Sequence, residues 1–118
     1  MVKDYIPNTG HIIWLNFDPQ EEKEIKKIRP ALVMSSRSFN QYGMGFFMPI
    51  TSKVKFHPYD VFIKDKSKDG YKLEGSILVD QMKSLDWVVR KAKFILECDE
   101  QILDDVKLKL TTILDIDY

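Results

Sequence analysis

At 118 residues, 44% of them hydrophobic, the chain can fill one core but is too short for two, so a single domain spanning residues 1–118 is expected. No apolar run approaches the roughly 18 residues of a transmembrane helix, and Met1–Tyr5 lacks a signal peptide's apolar stretch; a soluble, cytoplasmic protein with no membrane partner is expected. Eighteen basic and eighteen acidic residues cancel overall, and the lone Cys98, with only His11 and His57 beside it, excludes an internal disulfide and the usual structural zinc ligand set.

In chain order, His11–Phe17 (HIIWLNF) is β-branched and aromatic, follows Gly10 and stops at Asp18-Pro19, which predicts a first strand ended by a turn. Gln20–Ile28 (QEEKEIKKI) is highly charged and has no apolar stripe, so a mobile loop is expected there. Arg29-Pro30 opens a second strand, Ala31–Met34, with the proline tolerated at the strand's start. Ser36–Asn40 reads as a short capped helical turn before Gly43 and Gly45. Phe46–Thr51 is a third strand, and Pro49 inside it marks an edge or a bulge. A basic loop, Lys53–Pro58, leads to a fourth strand, Tyr59–Lys64, and a charged hairpin loop, Asp65–Tyr71, turns at Asp69-Gly70. Ser76–Asp80 and Ala92–Glu97 complete the strands.

From Asp99 the period changes. Ile102, Leu103, Val106, Leu110, Ile113 and Leu114 recur at helical spacing, with Asp99 placed as the cap, so a helix packed across the strands is expected. Short strands with charged or glycine-containing links and one terminal helix describe a mainly β (α+β) chain forming a small, strongly bent barrel.

The charge balance is not local. Residues 30 to 93 hold eleven Lys/Arg against six Asp/Glu, and residues 94 to 118 hold two against seven. A basic centre attracts a polyanion such as RNA, and an acidic end repels it; both blocks also fit an ordinary solvated surface. No Walker phosphate loop, Gly-x-Ser-x-Gly elbow or His-Glu-x-x-His helix occurs. What remains is a polar set at strand ends: Glu24, Arg29, Thr51, Ser52 and Asp80. A guanidinium offers a planar fork of donors that suits a phosphate, and a hydroxyl pair can bond non-bridging oxygens. The same residues could instead form a surface ion pair, Arg29 with Glu24 or Asp80, and a Thr51-Ser52 turn cap.

The segments Gly10–Pro19, Arg29–Ser35, Pro49–Ser52 and Asp80–Trp87 resemble, in order and spacing, the successive motifs of the MazF/PemK family, ribonuclease toxins of bacterial toxin-antitoxin pairs. The resemblance implies an SH3-like or CcdB-like barrel with a long C-terminal helix, a homodimer with RNA in a groove across its interface, and a cognate antitoxin. It further implies sequence-specific, metal-independent cleavage of single-stranded RNA, commonly messenger RNA, by 2′-hydroxyl attack that leaves a 2′,3′-cyclic phosphate and a 5′-hydroxyl, with no cofactor. Arg29 matches the family's catalytic arginine and Thr51 its phosphate-binding threonine, with Ser52 beside it. Glu24 matches a loop glutamate, and Asp80 an aspartate given an acid/base role in the PemK-like branch; either can be the base. Lys53, Lys55, Phe56 and His57 are candidate RNA contacts, the lysines to backbone phosphates and Phe56 to a base face.

The chain departs from the family at His11, Lys23, Ile25 and Leu78. His11 on a β-rich strand reads as a structural residue with a hydrogen-bond partner. Two other readings share the barrel. One is a gyrase-binding toxin without nuclease activity, whose working residues would lie in the last helix, here acidic; the other is a catalytically degenerate RNA-binding relative.

Overall fold

The computed structural model describes residues 5–17, 28–54 and 56–117. Seven strands form one bent antiparallel sheet: β1 (His11–Asn16), β2 (Ile28–Val33), β3 (Met44–Thr51), β4 (Asp60–Lys66), β5 (Lys72–Leu78), β6 (Lys83–Asp86) and β7 (Lys93–Glu97). Their order across the sheet is β4-β5-β3-β2-β1-β7, with β6 paired to β3 off that path. Helix α1 (Arg37–Asn40) joins β2 to β3, a 3-10 turn (Val79–Gln81) follows β5, and α2 (Glu100–Leu114) ends the fold. The result is a mainly β half-barrel with one long C-terminal helix, as the strand and period readings expect.

Both faces of the central strands are covered, which is why β1 reads as a nearly continuous apolar run. Ile12 and Leu32, opposite one another, enter a core with Met48, Ile77 and Val106 of α2. Ile13 and Ala31, the next pair along, enter a second core with Val33, Phe47 and Trp87. Each large side chain fully withdrawn from water here stabilises the fold by about 1.5–3 kcal/mol before entropy is counted. Asn40, wholly buried, ties the second core to α1: its Nδ2 donates to the carbonyls of Pro7 (2.8 Å) and Ser35 (3.0 Å), and the Trp87 indole N–H donates to its carbonyl (2.8 Å).

Caps fall where the sequence puts them. The Ser36 hydroxyl accepts from Phe39 N–H, and the Asp99 carboxylate from Gln101 N–H. Val106 is fully buried and Ile102, Leu103 and Leu110 pack against the same core, whereas Ile113 and Leu114, in the last turn of α2, are exposed.

Several boundaries differ from the sequence expectation. β2 begins at Ile28, so Ile28 belongs to a strand, and Pro30 lies inside β2 opposite Trp14. The ladder to β3 starts only at Ala31, so Pro30 stands where β2 has a partner on one side. Pro49 is not on an edge strand: β3 pairs β6 through Met44–Phe47 and β5 through Ile50–Thr51, and Pro49 falls in the gap where one neighbour replaces the other. The fifth strand runs over Lys72–Leu78 instead of Ser76–Asp80, because Val79 and Asp80 coil into the 3-10 turn. The polar strand β6 is unpredicted. The expected loop at 20–27 lies outside the described residues.

Candidate active site

The register of three ladders builds the site. β1 and β2 pair Leu15 with Arg29, while β2 and β3 pair Ala31 with Pro49 and Leu32 with Met48. The ladder stops at Ala31–Pro49, and Arg29 and Thr51, each two residues beyond that pair, line the same surface hollows. Thr51 is in turn paired with Ser76 of β5. Two strand ends, far apart in sequence, thus deliver a guanidinium and a hydroxyl to one place.

Arg29, Thr51 and Lys53 together line two adjoining hollows. The first, about 340 Å³, also takes in Ser52, Tyr71 and Glu74. The second, about 320 Å³, takes in His57, Asp60, Asp80 and Gln81. Arg29, Ser52, Lys53, His57 and Asp80 are exposed and Thr51 is half-buried. The Thr51 Oγ1 accepts from Lys53 N–H at 3.1 Å, so the threonine does cap its turn, and the same hydroxyl can still donate its proton outward. The His57 Nδ1 accepts from Tyr59 N–H at 3.2 Å, which leaves Nε2 as its outward nitrogen.

Of the sequence-derived residues, the fold therefore gathers Arg29, Thr51, Ser52, Lys53, His57 and Asp80 around adjoining space. Phe56 is set apart in a neighbouring hollow of about 270 Å³ that it shares with His57 and Phe62. It is 85% exposed and held at a φ of 55°, an uncommon conformation for a bulky residue. Glu24 and Lys55 lie outside the described residues. Tyr71, which meets Trp14 edge-on at 5.0 Å, and Glu74 line the first hollow and are not among the residues the sequence singles out. The alternation Lys72-Leu73-Glu74, read as the opening of β5, would have found Glu74.

His11 lies away from these hollows. Its Nδ1 receives the Tyr5 O–H at 2.6 Å and the Asn8 N–H at 3.3 Å, and Phe94 stands edge-on to its ring at 5.0 Å. Burial lowers its pKa, against an opposing pull from Glu97, while Arg37 lowers it further. Among the described residues no three of His, Cys, Asp and Glu converge as a metal-binding group, and no helix is long and apolar enough to cross a membrane.

The arrangement can hold a phosphodiester. The Arg29 fork and the Lys53 ammonium carry positive charge, the Thr51 and Ser52 hydroxyls are available donors, and the Asp80 carboxylate lines the second hollow. Residues 8–114 match the family model described as the PemK-like, MazF-like toxin of type II toxin-antitoxin systems. The chain is 37% identical over 93 residues to the endoribonuclease toxin MazF of Escherichia coli (strain K12), covering 78% of this chain and 79% of that one. It is 32% identical over 116 residues to the endoribonuclease toxin ChpB of the same strain, covering 98% and 100%. The crystal structure of a MazE-MazF complex from Deinococcus radiodurans superposes with a TM-score of 0.82 at 33% identity, covering 97% of this chain and 100% of that one.

Proposed function

The chain belongs to the PemK-like, MazF-like toxins of type II toxin-antitoxin systems, and from that membership we propose that it is an endoribonuclease toxin that cuts single-stranded RNA, chiefly messenger RNA, at a short sequence without a metal ion. It acts in the cytoplasm as a homodimer and is held silent by a cognate antitoxin. The observation that carries this reading is the convergence of Arg29 and Thr51, from separate strands, on the same two hollows with Lys53.

The chemistry needs no group from outside the chain and its substrate. A base removes the ribose 2′-hydroxyl proton, the oxygen attacks the adjacent phosphorus, and the bond to the 5′-oxygen breaks as that oxygen takes up a proton. The products are a 2′,3′-cyclic phosphate and a 5′-hydroxyl. Arg29 stabilises the charge that builds on the phosphoryl oxygens and is the candidate proton donor, while Thr51 and Ser52 orient the phosphate. Asp80 shares the second hollow with Arg29, Thr51 and His57, which supports it as the base; Glu24 is the alternative acceptor from the sequence. Lys53, Lys55 and His57 hold the flanking backbone, and the exposed ring of Phe56 stacks on a base.

The test is direct. Purified protein freed of its antitoxin and supplied with EDTA is given single-stranded RNA and the matching DNA, and the new ends are mapped. Scission of RNA alone, with cyclic phosphate and 5′-hydroxyl ends, supports the reading. RNA left intact at every sequence defeats it.

A further inference from the structure

The β4–β5 ribbon carries a feature that the cleavage site does not account for. On its outward face, Phe62, Lys64 and Lys66 of β4 alternate with the buried Val61 and Ile63, and Lys72 and Glu74 of β5 are likewise exposed. The register sets Lys64 opposite Glu74, a complementary pair, but Lys66 opposite Lys72. Like charges directly across a ladder destabilise it. No acidic residue of β4 or β5 stands opposite either of those lysines. A like-charged pair at the end of a solvent-facing ribbon fits a surface that meets a polyanion, whose phosphates remove the repulsion that the unbound chain tolerates.

The position of that pair identifies the polyanion. Lys64, Lys66 and Lys72 line a hollow of about 420 Å³ whose wall also includes Asp65, Leu73 and Glu74. Leu73 and Glu74 also line the hollow that holds Arg29 and Thr51. A strand threaded past Arg29 and the exposed Tyr71 of the first hollow therefore runs on over a ribbon where three lysines outnumber the carboxylates of Asp65 and Glu74.

We propose that Lys64, Lys66 and Lys72 form a phosphate track that grips single-stranded RNA beyond the scissile bond, so that affinity grows with RNA length outside the cut sequence. The proposal rests on the nuclease reading. Each phosphate neutralised on a single strand contributes roughly 0.7 to the slope of log affinity against log salt, so a track of three lysines contributes about 2.

The experiment measures binding of dye-labelled, fully 2′-O-methylated RNA, which cannot be cut, by anisotropy across a salt series. One RNA spans only the cleavage hollow and a second extends well past it. For the unaltered chain the long RNA is expected to give the steeper slope. In the triple variant Lys64→Gln, Lys66→Gln, Lys72→Gln that excess falls by about 2 and the two slopes converge. Equal slopes for the unaltered chain and the variant on long RNA, in a protein that still cuts RNA, overturn the track alone. A chain that neither cuts nor binds RNA overturns the nuclease reading and the track with it. A second variant separates folding from binding: Lys66→Glu places opposite charges across the ladder, so it is expected to raise the melting temperature while weakening long-RNA binding. A raised melting temperature with unchanged binding counts against the track.

Discussion

Gly75 of β5 passes so close to Thr51 of β3 that a Cβ built on it would lie 2.2 Å from the Thr51 carbonyl oxygen. Only hydrogen fits there. Backbone is the obstacle, so no rotamer change can relieve the clash, and the two-residue ladder Ile50–Ile77 and Thr51–Ser76 must open to admit a methyl group. Gly75→Ala is expected to destabilise the fold by about 1–3 kcal/mol. It also displaces the threonine backbone, so RNA cleavage should fall by more than the loss of folded protein explains. Thermal melts beside single-turnover rates at a temperature where the variant is folded check both.

Arg29 is exposed, so its removal should cost the fold less than about 0.5 kcal/mol. Catalysis is another matter. Arg29→Ala is expected to lower the cleavage rate by about 10²–10³-fold, with sedimentation unchanged from the unaltered chain. Arg29→Lys keeps the charge but loses the two-pronged donor geometry and should recover only part of the rate. A variant that unfolds would make the guanidinium structural.

Asn40 presents the opposite case, a polar side chain buried for architecture. Its amide serves two carbonyls, and its Oδ1 accepts from the Ser35 hydroxyl at 2.5 Å. Asn40→Leu strands those partners in a dry interior, at about 1–3 kcal/mol for each group left unpaired. Chemical denaturation should show a large loss of midpoint with the slope preserved.

His11 predicts a pH dependence. Its Nδ1 takes the Asn8 N–H, so the neutral ring with its proton on Nε2 is the form that fits. Burial depresses the folded-state pKa below the ordinary value near 6.5, so the unfolded chain binds the extra proton first. The stability contribution is complete above that ordinary value and is lost as pH falls toward and through the depressed one. Denaturation midpoints measured from pH 7.5 down to 5 should fall in the native chain, and more shallowly in His11→Gln.

What the sequence discloses and what it hides divide along the range of the interaction. α2 is legible because its cap at Asp99 and its apolar stripe are local signals, and β1 because its apolar run is dense. β6 (KSLD) carries no such signal; a short, polar strand is held in place by its ladder to Met44–Phe47, a pairing no local pattern encodes. Val79 misleads for a related reason: it is buried like a strand residue, but inside a 3-10 turn. The site divides in the same way. Residue chemistry nominates Arg29, Thr51 and Asp80, yet only pairing between strands brings the first two to the same hollows, whereas Glu74 is within reach of the local Lys72-Leu73-Glu74 alternation.

That register also dictates where the polypeptide tolerates a change of length. Adding or deleting one residue between Arg29 and Val33, or between Phe47 and Thr51, would turn the downstream side chains to the opposite face and separate guanidinium from hydroxyl. The bend between α1 and β3 lies outside both spans: Tyr42 is 81% exposed, while Gly43 beside it holds a φ of 100° that keeps that position for glycine. An epitope or fluorophore spliced into that bend would report on the toxin in living cells while leaving its cutting centre aligned.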